Sequence, residues 1–265
     1  MLEVRNLSVY TSSSKMLLGD INFTFRQGIC TGITGPSGSG KTTLLKVILG
    51  VLSENIVVKQ GEILLNGNDL LKMNTKERRN LCGTQFGFIP QSPMTAFNPY
   101  VSLGSQVSET FRKRLGLSKS SANQLSMEML KKVNLFDTDR VYNARPNQLS
   151  GGMLQRVTMA ILLGLEPDYI FADEPTSALD ERNRQEFLIA QLMELKSRSS
   201  ILFVSHDDDA IKQLCDEILI LQNGKVVEQG RTDTIFSNPR NNWTRDFVTV
   251  SNEQREEVWM WNKSQ

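Results

Sequence analysis

The sequence predicts an α/β protein whose core is a parallel β-sheet, with an inserted group of helices that forms a second lobe. Two observations support this prediction. From residue 169 onward, short apolar strands alternate with helical stretches, which is the order of strands joined by crossover helices. Between about residues 102 and 144, apolar side chains such as Met127, Leu130 and Val133 recur instead at helical spacing.

The predicted elements follow one another along the chain, separated by turns. Strands are predicted over residues 2–9, 20–25, 29–34, 61–67, 86–90, 169–172, 201–204 and 217–221. Helices outside the insertion are predicted over residues 42–49, 181–195 and 208–215. An Asn-Gly turn ends the fourth strand, and Pro90 ends the fifth because proline cannot continue a ladder of hydrogen bonds.

Composition limits the classes of function. The chain has 265 residues, with 30 Lys and Arg against 29 Asp and Glu, so its net charge is +1. This balance gives no overall electrostatic reason for binding nucleic acid, and it weakens attachment to a membrane by charge alone. Cys30, Cys82 and Cys215 are odd in number and far apart in the sequence. They argue against a disulfide framework and against a metal centre held by cysteines.

The N-terminal residues lack the long apolar region that follows a basic start in a signal peptide. No apolar run approaches the ~20 residues of a membrane span, and the longest candidate, residues 159–165, is far shorter. We therefore expect the protein to be made and kept in the cytoplasm, where partner proteins can still hold it at a membrane.

A phosphate-binding loop is the most specific motif of the sequence. The pattern G-x-x-x-x-G-K-[ST] is matched in full by Gly35, Pro36, Ser37, Gly38, Ser39, Gly40, Lys41 and Thr42, with Thr43 next in the helix. Glycines let the backbone curl so that its N–H groups point at phosphate oxygens at the positive end of a helix. Lys41 is expected to neutralise the β- and γ-phosphates, and the Thr42 hydroxyl to bind Mg²⁺.

Two carboxylates follow the predicted strand at residues 169–172 and extend this nucleotide site. Asp173 is suited to hold Mg²⁺ through a water molecule. Glu174, one residue later, points to a different side and can polarise an attacking water. Because polar exits from strands are common, the pair is informative only together with the phosphate loop.

A further motif points to a family. The stretch Leu-Ser-Gly-Gly-Met-Leu-Gln-Arg at residues 149–156 resembles the LSGGQ signature of ATP-binding-cassette (ABC) ATPases. Its glycines open a helix, whose N-terminus again offers N–H groups to an anion. Three other landmarks of the family also have counterparts here, in the family's order. Gln91 resembles the Q-loop glutamine, residues 177–180 resemble the D-loop, and His206 resembles the switch histidine.

This resemblance implies a P-loop NTPase fold of the ABC nucleotide-binding type. Such a domain has a RecA-like parallel sheet core, an antiparallel β subdomain and an inserted α-helical subdomain. A single ABC ATPase domain would span residues 1–236, with its helical lobe over roughly residues 92–160. Residues 237–265 would form a C-terminal extension.

The resemblance also implies the roles of the site residues, with ATP and Mg²⁺ as ligands. Glu174 would be the general base, and His206 would contact the γ-phosphate. Mg²⁺ and its waters would be held by Thr42, Gln91 and Asp173. Because each ABC subunit carries half of each composite site, the ATP of a partner chain would be contacted by Ser150, Gly151 and Gly152.

One position departs from the family pattern. ABC ATPases usually stack an aromatic ring on adenine near the end of the first strand. Tyr10 is the nearest candidate, but it comes one residue early, and residues 11–14 offer no other ring. Contact between Tyr10 and the base stays an open alternative at this point.

A narrower resemblance concerns residues 89–99 and 238–245, which are similar to the Q-loop stretch and a C-terminal element of the peptide/nickel importer ATPases. Met-Leu-Gln-Arg at residues 153–156 resembles the nickel and metallophore members more than the peptide members. The cysteine cluster near the C-terminus of some relatives is absent, so no iron–sulfur cluster is implied. The implied function is ATP hydrolysis that drives uptake of nickel, a metal–metallophore complex or peptides.

The implied partners are a second homologous ATPase, two transmembrane permeases and, indirectly, an extracytoplasmic substrate-binding protein. The chain would lie peripherally on the cytoplasmic face of the cell membrane, with the lobe after Gln91 receiving a permease helix.

A soluble ABC ATPase acting on ribosomes or DNA is an alternative, disfavoured by the single cassette and the lack of a basic surplus. An exporter ATPase is disfavoured by the importer-like elements. Residues 258–261, with two tryptophans, suit either a partner contact or packing on the chain's own domain.

Overall fold

The computed structural model describes residues 1–176 and 182–249. The strands in these ranges are β1 (Leu2–Thr11), β2 (Met16–Phe25), β3 (Cys30–Thr34), β4 (Ile56–Leu65), β5 (Asn68–Asp69), β6 (Phe86–Ile89), β7 (Tyr169–Asp173), β8 (Ser200–Val204), β9 (Glu217–Gln222) and β10 (Lys225–Arg231). The helices are α1 (Lys41–Leu49), α2 (Thr75–Leu81), α3 (Leu103–Leu115), α4 (Lys119–Lys132), α5 (Thr138–Asn143), α6 (Gly151–Leu165), α7 (Arg182–Lys196), α8 (Asp208–Leu214) and α9 (Thr232–Ser237). Short 3₁₀ helices lie at Leu70–Lys72, Pro93–Ala96 and Pro146–Gln148.

The first sheet is antiparallel and has the strand order β2-β1-β4-β5. Alternation along β1 turns Leu2, Val4, Leu7 and Val9 into the core, with a shift at the left-handed residue Asn6. A two-residue turn joins β4 to β5. It uses the Asn-Gly pair that the sequence singled out, and both residues have positive φ angles (50° and 85°), as the favoured hairpin turn requires.

The second sheet has the order β10-β9-β3-β8-β7-β6 and is parallel except for β10, which pairs antiparallel with β9. Its central strands are buried on both faces, as is usual for parallel sheets. In β7, Phe171 packs toward the first sheet and α1, whereas Ile170 and Ala172 pack toward the helical side. The expectation of a parallel core sheet is confirmed.

Aromatic side chains join the two sheets. Phe25 of β2 meets Tyr169 of β7 edge-on with ring centroids 5.4 Å apart, and it meets Phe171 of the same strand in the same way at 6.2 Å. Such pairs add about 0.5–1.5 kcal/mol each beyond the burial of their surface. The contact fixes the antiparallel sheet against the strand that carries the two site carboxylates.

The insertion is helical, as the apolar spacing predicts, and it consists of α3, α4 and α5. Its helices are tied together by a buried hydroxyl group, because Ser108 Oγ lies 3.0 Å from Ser126 Oγ and 2.9 Å from the Tyr142 hydroxyl. In the described part of the chain, no helix has both the length and the apolar character needed to cross a bilayer.

Two cysteines that are far apart in the sequence meet inside the core. Cys30 Sγ at the start of β3 lies 3.5 Å from Cys215 Sγ, just after α8. Burial, together with this contact, raises the pKa of the Cys30 thiol well above its usual range. The Cys30 side chain therefore packs against Cys215 as a small neutral group.

The strand order decides where the functional residues lie. Strand β8 runs between β3 and β7, and β6 lies beyond β7. The carboxyl ends of these parallel strands reach one edge of the sheet, which is where open α/β sheets bind their ligands. The phosphate loop, the carboxylate pair, Gln91 and His206 all follow strands that end at this edge.

Candidate nucleotide-binding site

The phosphate loop connects β3 to α1 and is shaped by two glycines with positive φ angles. Gly35 has φ 148°, and a Cβ atom there would collide with the backbone oxygen of Leu221. Gly40 has φ 106°, and its Cβ would lie 2.6 Å from Leu18 Cδ2. Because β2 and β9 approach the loop so closely, side chains are excluded at both positions.

The ammonium group of Lys41, the first residue after the loop, lies over that loop. Its Nζ donates to the Gly35 carbonyl at 2.8 Å and to the Pro36 carbonyl at 3.0 Å. Desolvation lowers the pKa of Lys41, and the charges of Glu174 and Asp173 oppose that shift. A polyphosphate placed against the loop would meet this cation together with the N–H groups at the start of α1.

Thr42 and Asp173 meet at the base of the site. Thr42 Oγ1 donates to Asp173 Oδ1 at 3.0 Å, and the Asp173 side chain is buried. Burial raises the pKa of Asp173, although the hydrogen bond from Thr42 works in the opposite direction.

A hydroxyl and one carboxylate form an oxygen donor pair, and the described residues hold no group of three or more His, Cys, Asp or Glu side chains placed to bind a metal ion by themselves. Mg²⁺ usually takes one or two protein oxygens and completes its shell with substrate phosphates and water. The donor pair of Thr42 and Asp173 therefore fits Mg²⁺ bound together with a nucleotide.

Glu174 stands at the centre of a hydrogen-bonded group. Gln91 Nε2 donates to its Oε2 at 2.9 Å, and His206 Nδ1 lies 3.3 Å from its Oε1. The backbone of Glu174 has φ 45°, an unfavourable conformation for this residue type, and its N–H donates to the Val204 carbonyl at 2.9 Å. The strained backbone turns the carboxylate out of the strand direction, so it can accept a proton from a molecule in the cavity.

A cavity of about 610 Å³ lies beside the loop. It is lined by residues 37–43, by Gln91 and Glu174, and by residues 15–17 and 223–224. Most of the sequence-predicted site residues are thus brought together. The remaining ones are connected to this lining by hydrogen bonds or close contacts. Gly35 and Pro36 accept hydrogen bonds from Lys41, and Asp173 accepts one from Thr42. His206 contacts Glu174.

The signature residues lie elsewhere. Ser150 and Gly152 line a separate cavity of about 290 Å³ formed with α5, α6 and α7, and Gly151 is the first residue of α6. Ser150 caps this helix, since its Oγ accepts a hydrogen bond from the Met153 N–H at 3.3 Å. The start of α6 thus lines a different cavity from the one beside the chain's own phosphate loop.

One side chain of α6 reaches back to the first site. The Gln155 Nε2 atom donates to the Pro175 carbonyl at 3.1 Å, and Gln155 is almost fully buried. Pro175 directly follows Glu174. The signature helix is therefore tied to the segment that carries the central carboxylate, a link that the sequence analysis did not find.

Tyr10 is not among the residues that line the cavity. It lies on β1, one strand beyond β2, and its ring centroid is 5.0 Å from the Lys59 ammonium of β4. The cavity is lined instead by Met16, whose backbone pairs with that of Tyr10. The structure thus separates the expected aromatic residue from the site, because an edge strand intervenes.

The sequence analysis did not include residues 15–17 and 223–224 in the site, although residues 223–224 carry a clear hairpin signal. Asn223 and Gly224 form a second Asn-Gly hairpin, between β9 and β10, and the Gly224 N–H donates to the Ser39 carbonyl at 3.0 Å. The dipeptide followed by alternating residues is a typical hairpin signal. The expected D-loop at residues 177–180 and the tail at residues 258–261 lie outside the described residues.

Comparisons with known proteins agree with this geometry. Residues 18–177 match the sequence family described as ABC transporter. The dipeptide transport ATP-binding protein DppD of Lactococcus lactis is 34% identical over 250 residues, which cover 92% of this chain and 71% of that protein. The metal-staphylopine import system ATP-binding protein CntD of Staphylococcus aureus is 32% identical over 253 residues, which cover 94% and 93% of the two chains.

Among solved structures, a dimeric ATP-binding cassette in a post-hydrolysis state, bound to ADP and Pi, has a TM-score of 0.77 at 26% identity. The match covers 88% of this chain and 99% of that one. The likeness confirms the expected fold, in which a parallel core sheet carries an antiparallel sheet and inserted helices. The chain therefore belongs to the ABC transporter family, as an ATP-binding component with ATPase activity.

Proposed function

We propose that this chain is the ATP-hydrolysing subunit of an importer for peptides, nickel or a metal–metallophore complex. The observation that best supports hydrolysis is the Glu174 carboxylate, held between Gln91 and His206 at the rim of the phosphate-loop cavity. Import is supported by the relatives, whose names refer to transport of dipeptides and import of metal–staphylopine.

In the proposed reaction, Lys41 and the loop N–H groups bind the phosphates of ATP. Thr42, Asp173 and Gln91 would supply oxygens for Mg²⁺ and its waters, and the bound ion would neutralise phosphate charge. Glu174 accepts a proton from the attacking water, which the Gln91 amide helps to orient. His206, next to Glu174, contacts the γ-phosphate and loses that contact after hydrolysis.

The signature residues Ser150, Gly151 and Gly152 would contact the ATP of a second, homologous ATPase subunit. Their position at the N-terminus of α6, away from the chain's own phosphate loop, supports this role. The dimeric state of the similar cassette supports it too. Two permeases and an extracytoplasmic binding protein would complete the importer, with this chain on the cytoplasmic face of the membrane.

The proposed domain consists of residues 1–236, with a helical lobe over roughly residues 92–160 and an extension over residues 237–265. Among substrates, the stretch at residues 153–156 favours nickel or a metallophore complex. A soluble ATPase acting on ribosomes or DNA finds no counterpart among the relatives named above, and the chain has no basic surplus.

Uptake by cells tests the proposal. A strain that lacks this chain would be supplied with radioactive nickel, a labelled metal–metallophore complex or a labelled dipeptide. One of the three uptakes should fall, and it should return with the natural chain but not with Lys41→Ala. The exposed Lys59→Ala variant, on β4, is the matched control. Unchanged uptake of all three substrates would contradict the import proposal.

A further inference from the structure

We propose that Met16 provides the apolar surface that contacts the nucleotide base, in the place where an aromatic ring was expected. This inference rests on the proposed function as an ATP-binding subunit and assigns one further residue of the same site. It is carried by the lining of the phosphate-loop cavity, the packing of Met16 along β2 and the separate contacts of Tyr10.

The lining of the cavity limits where a base can lie. Lys41 and the loop fix the phosphates, and the γ-phosphate end of the nucleotide belongs next to Glu174 and Gln91. The remaining lining, which is residues 15–17 and 223–224, is then the part of the cavity that is open to the rest of the nucleotide. Among these, the apolar side chains are those of Met16 and Leu17.

Met16 is the more available of the two, since it is 40% exposed whereas Leu17 is half-buried. Gly19 leaves it room. A Cβ atom on Gly19 would lie 2.7 Å from Met16 Sδ and 3.7 Å from Lys225 Cε. The thioether therefore packs over a residue without a side chain, and the exposed part of Met16 belongs to the lining of the cavity.

Such a surface suits a purine. Methionine sulfur makes favourable contacts with aromatic rings, and its unbranched side chain adapts to their shape. A contact of this kind contributes about two- to tenfold to affinity. Met16 can thus replace stacking on a ring, from a strand whose next residues, Leu17 and Leu18, pack against the phosphate loop.

Tyr10 has other contacts. Its strand, β1, is flanked by β2 on one side and β4 on the other. The ammonium of Lys59, from β4, lies 5.0 Å from the ring centroid. The ring is therefore in contact with a cation from β4, the strand on the side of β1 opposite β2, and Tyr10 is not part of the cavity lining.

The test compares ligands with and without a base. Calorimetry on the full chain would measure binding of a non-hydrolysable ATP analogue and of inorganic tripolyphosphate, both with Mg²⁺. We expect Met16→Ala to weaken the analogue about two- to tenfold and to leave tripolyphosphate unchanged. Met16→Phe should restore binding of the analogue. Met193→Ala, which changes a similarly exposed methionine on α7, is the matched control.

Each result has a defined meaning. Equal weakening of both ligands by Met16→Ala would show that Met16 supports the loop instead of the base, and it would overturn the inference. Loss of affinity in Tyr10→Ala with none in Met16→Ala would also overturn it. If the natural chain bound neither ligand, the proposed function itself would fail.

Discussion

A single substitution at Glu174 can separate nucleotide binding from the proton transfer of hydrolysis. In Glu174→Gln, the amide keeps the size of the side chain but cannot take a proton from water. ATP binding should be retained, and turnover should fall by about 10²–10⁴. Nucleotide affinity and phosphate release in the assembled transporter measure the two effects. Glu128→Gln, exposed on α4, is the control, and normal turnover in Glu174→Gln would contradict the assignment of the base.

His206 is expected to matter for turnover and not for affinity. Its ring is 64% exposed and lies 3.3 Å from the Glu174 carboxylate, so it supports no part of the core. His206→Ala should therefore lower the ATPase rate and leave nucleotide affinity and the melting temperature nearly unchanged. Unaltered ATPase activity and transport in this variant would assign the ring a structural role only.

The burial of Asp173 makes a prediction about pH. Because its pKa is raised in the folded chain, the charged carboxylate costs stability at neutral pH, and this cost disappears as the pH falls through the raised pKa. Without Mg²⁺ or nucleotide, Asp173→Asn should melt higher than the natural chain, by about 2–4 °C per kcal/mol gained.

The difference between these two chains should shrink as the pH is lowered, because protonation relieves the natural chain of the same cost. Thermal unfolding from neutral to acidic pH in EDTA measures it. In the presence of Mg²⁺ and ATP the order should reverse, since only the natural chain holds the ion with a carboxylate. A melting temperature of Asp173→Asn below that of the natural chain in EDTA would refute the argument.

At the scale of elements, the signature helix α6 is predicted to act on another chain. Ser150→Arg places a bulky cation at the start of this helix and removes its cap. ATP binding by the isolated chain should stay normal, whereas turnover in the assembled transporter should be lost. Loss of the cap itself costs about 0.5–2 kcal/mol.

Ser118→Arg separates the two effects of that substitution. It removes the cap of α4, where Ser118 Oγ accepts from the Ser121 N–H at 3.1 Å, but it lies outside the proposed site. It should lower stability to a similar extent and leave turnover intact. A loss of ATP binding by the isolated Ser150→Arg chain would contradict this prediction, because it would show that the signature contacts the chain's own ATP.

The sequence predicted the elements whose patterns are set locally. The phosphate loop, the strand before Asp173 and the helical insertion depend on glycine positions, apolar runs and helical spacing. The sequence analysis missed α2 and β10, although Asn74 and Glu77 form a capping box and Asn223-Gly224 forms a hairpin turn. Neither element is strongly apolar, and periodicity alone gives such elements little weight.

The nucleotide cavity shows the limit of this approach. Whether Tyr10 or Met16 lines it depends on the pairing of β1 with β2, which shifts register between Val9 and Tyr10. A shift of one residue changes which side chains share a face. Likewise, the link from Gln155 to Pro175 joins segments 20 residues apart that only the tertiary packing of α6 brings together. Spacing along the chain cannot foresee either contact.

At the scale of the whole molecule, the separation of loop and signature predicts how activity depends on assembly. The purified chain should be monomeric at low concentration and hydrolyse ATP slowly. Adding the second ATPase and the permeases should raise the rate, because closure completes the site and excludes water. Sedimentation and ATPase assays over a range of protein concentrations test this. Full turnover by an isolated monomer, independent of concentration, would contradict it.

The hydrogen bond from Gln155 to Pro175 has a consequence for kinetics. It connects the surface that would meet a partner's nucleotide with the backbone next to the chain's own general base. We therefore expect a ligand that arrives at one surface to change the rate of hydrolysis at the other. In an assembled pair of ATPase subunits in which one site is disabled, we expect the remaining site to hydrolyse ATP at a rate different from half that of the intact pair. Gln155→Leu should make the hydrolysis rates of the two sites more nearly independent.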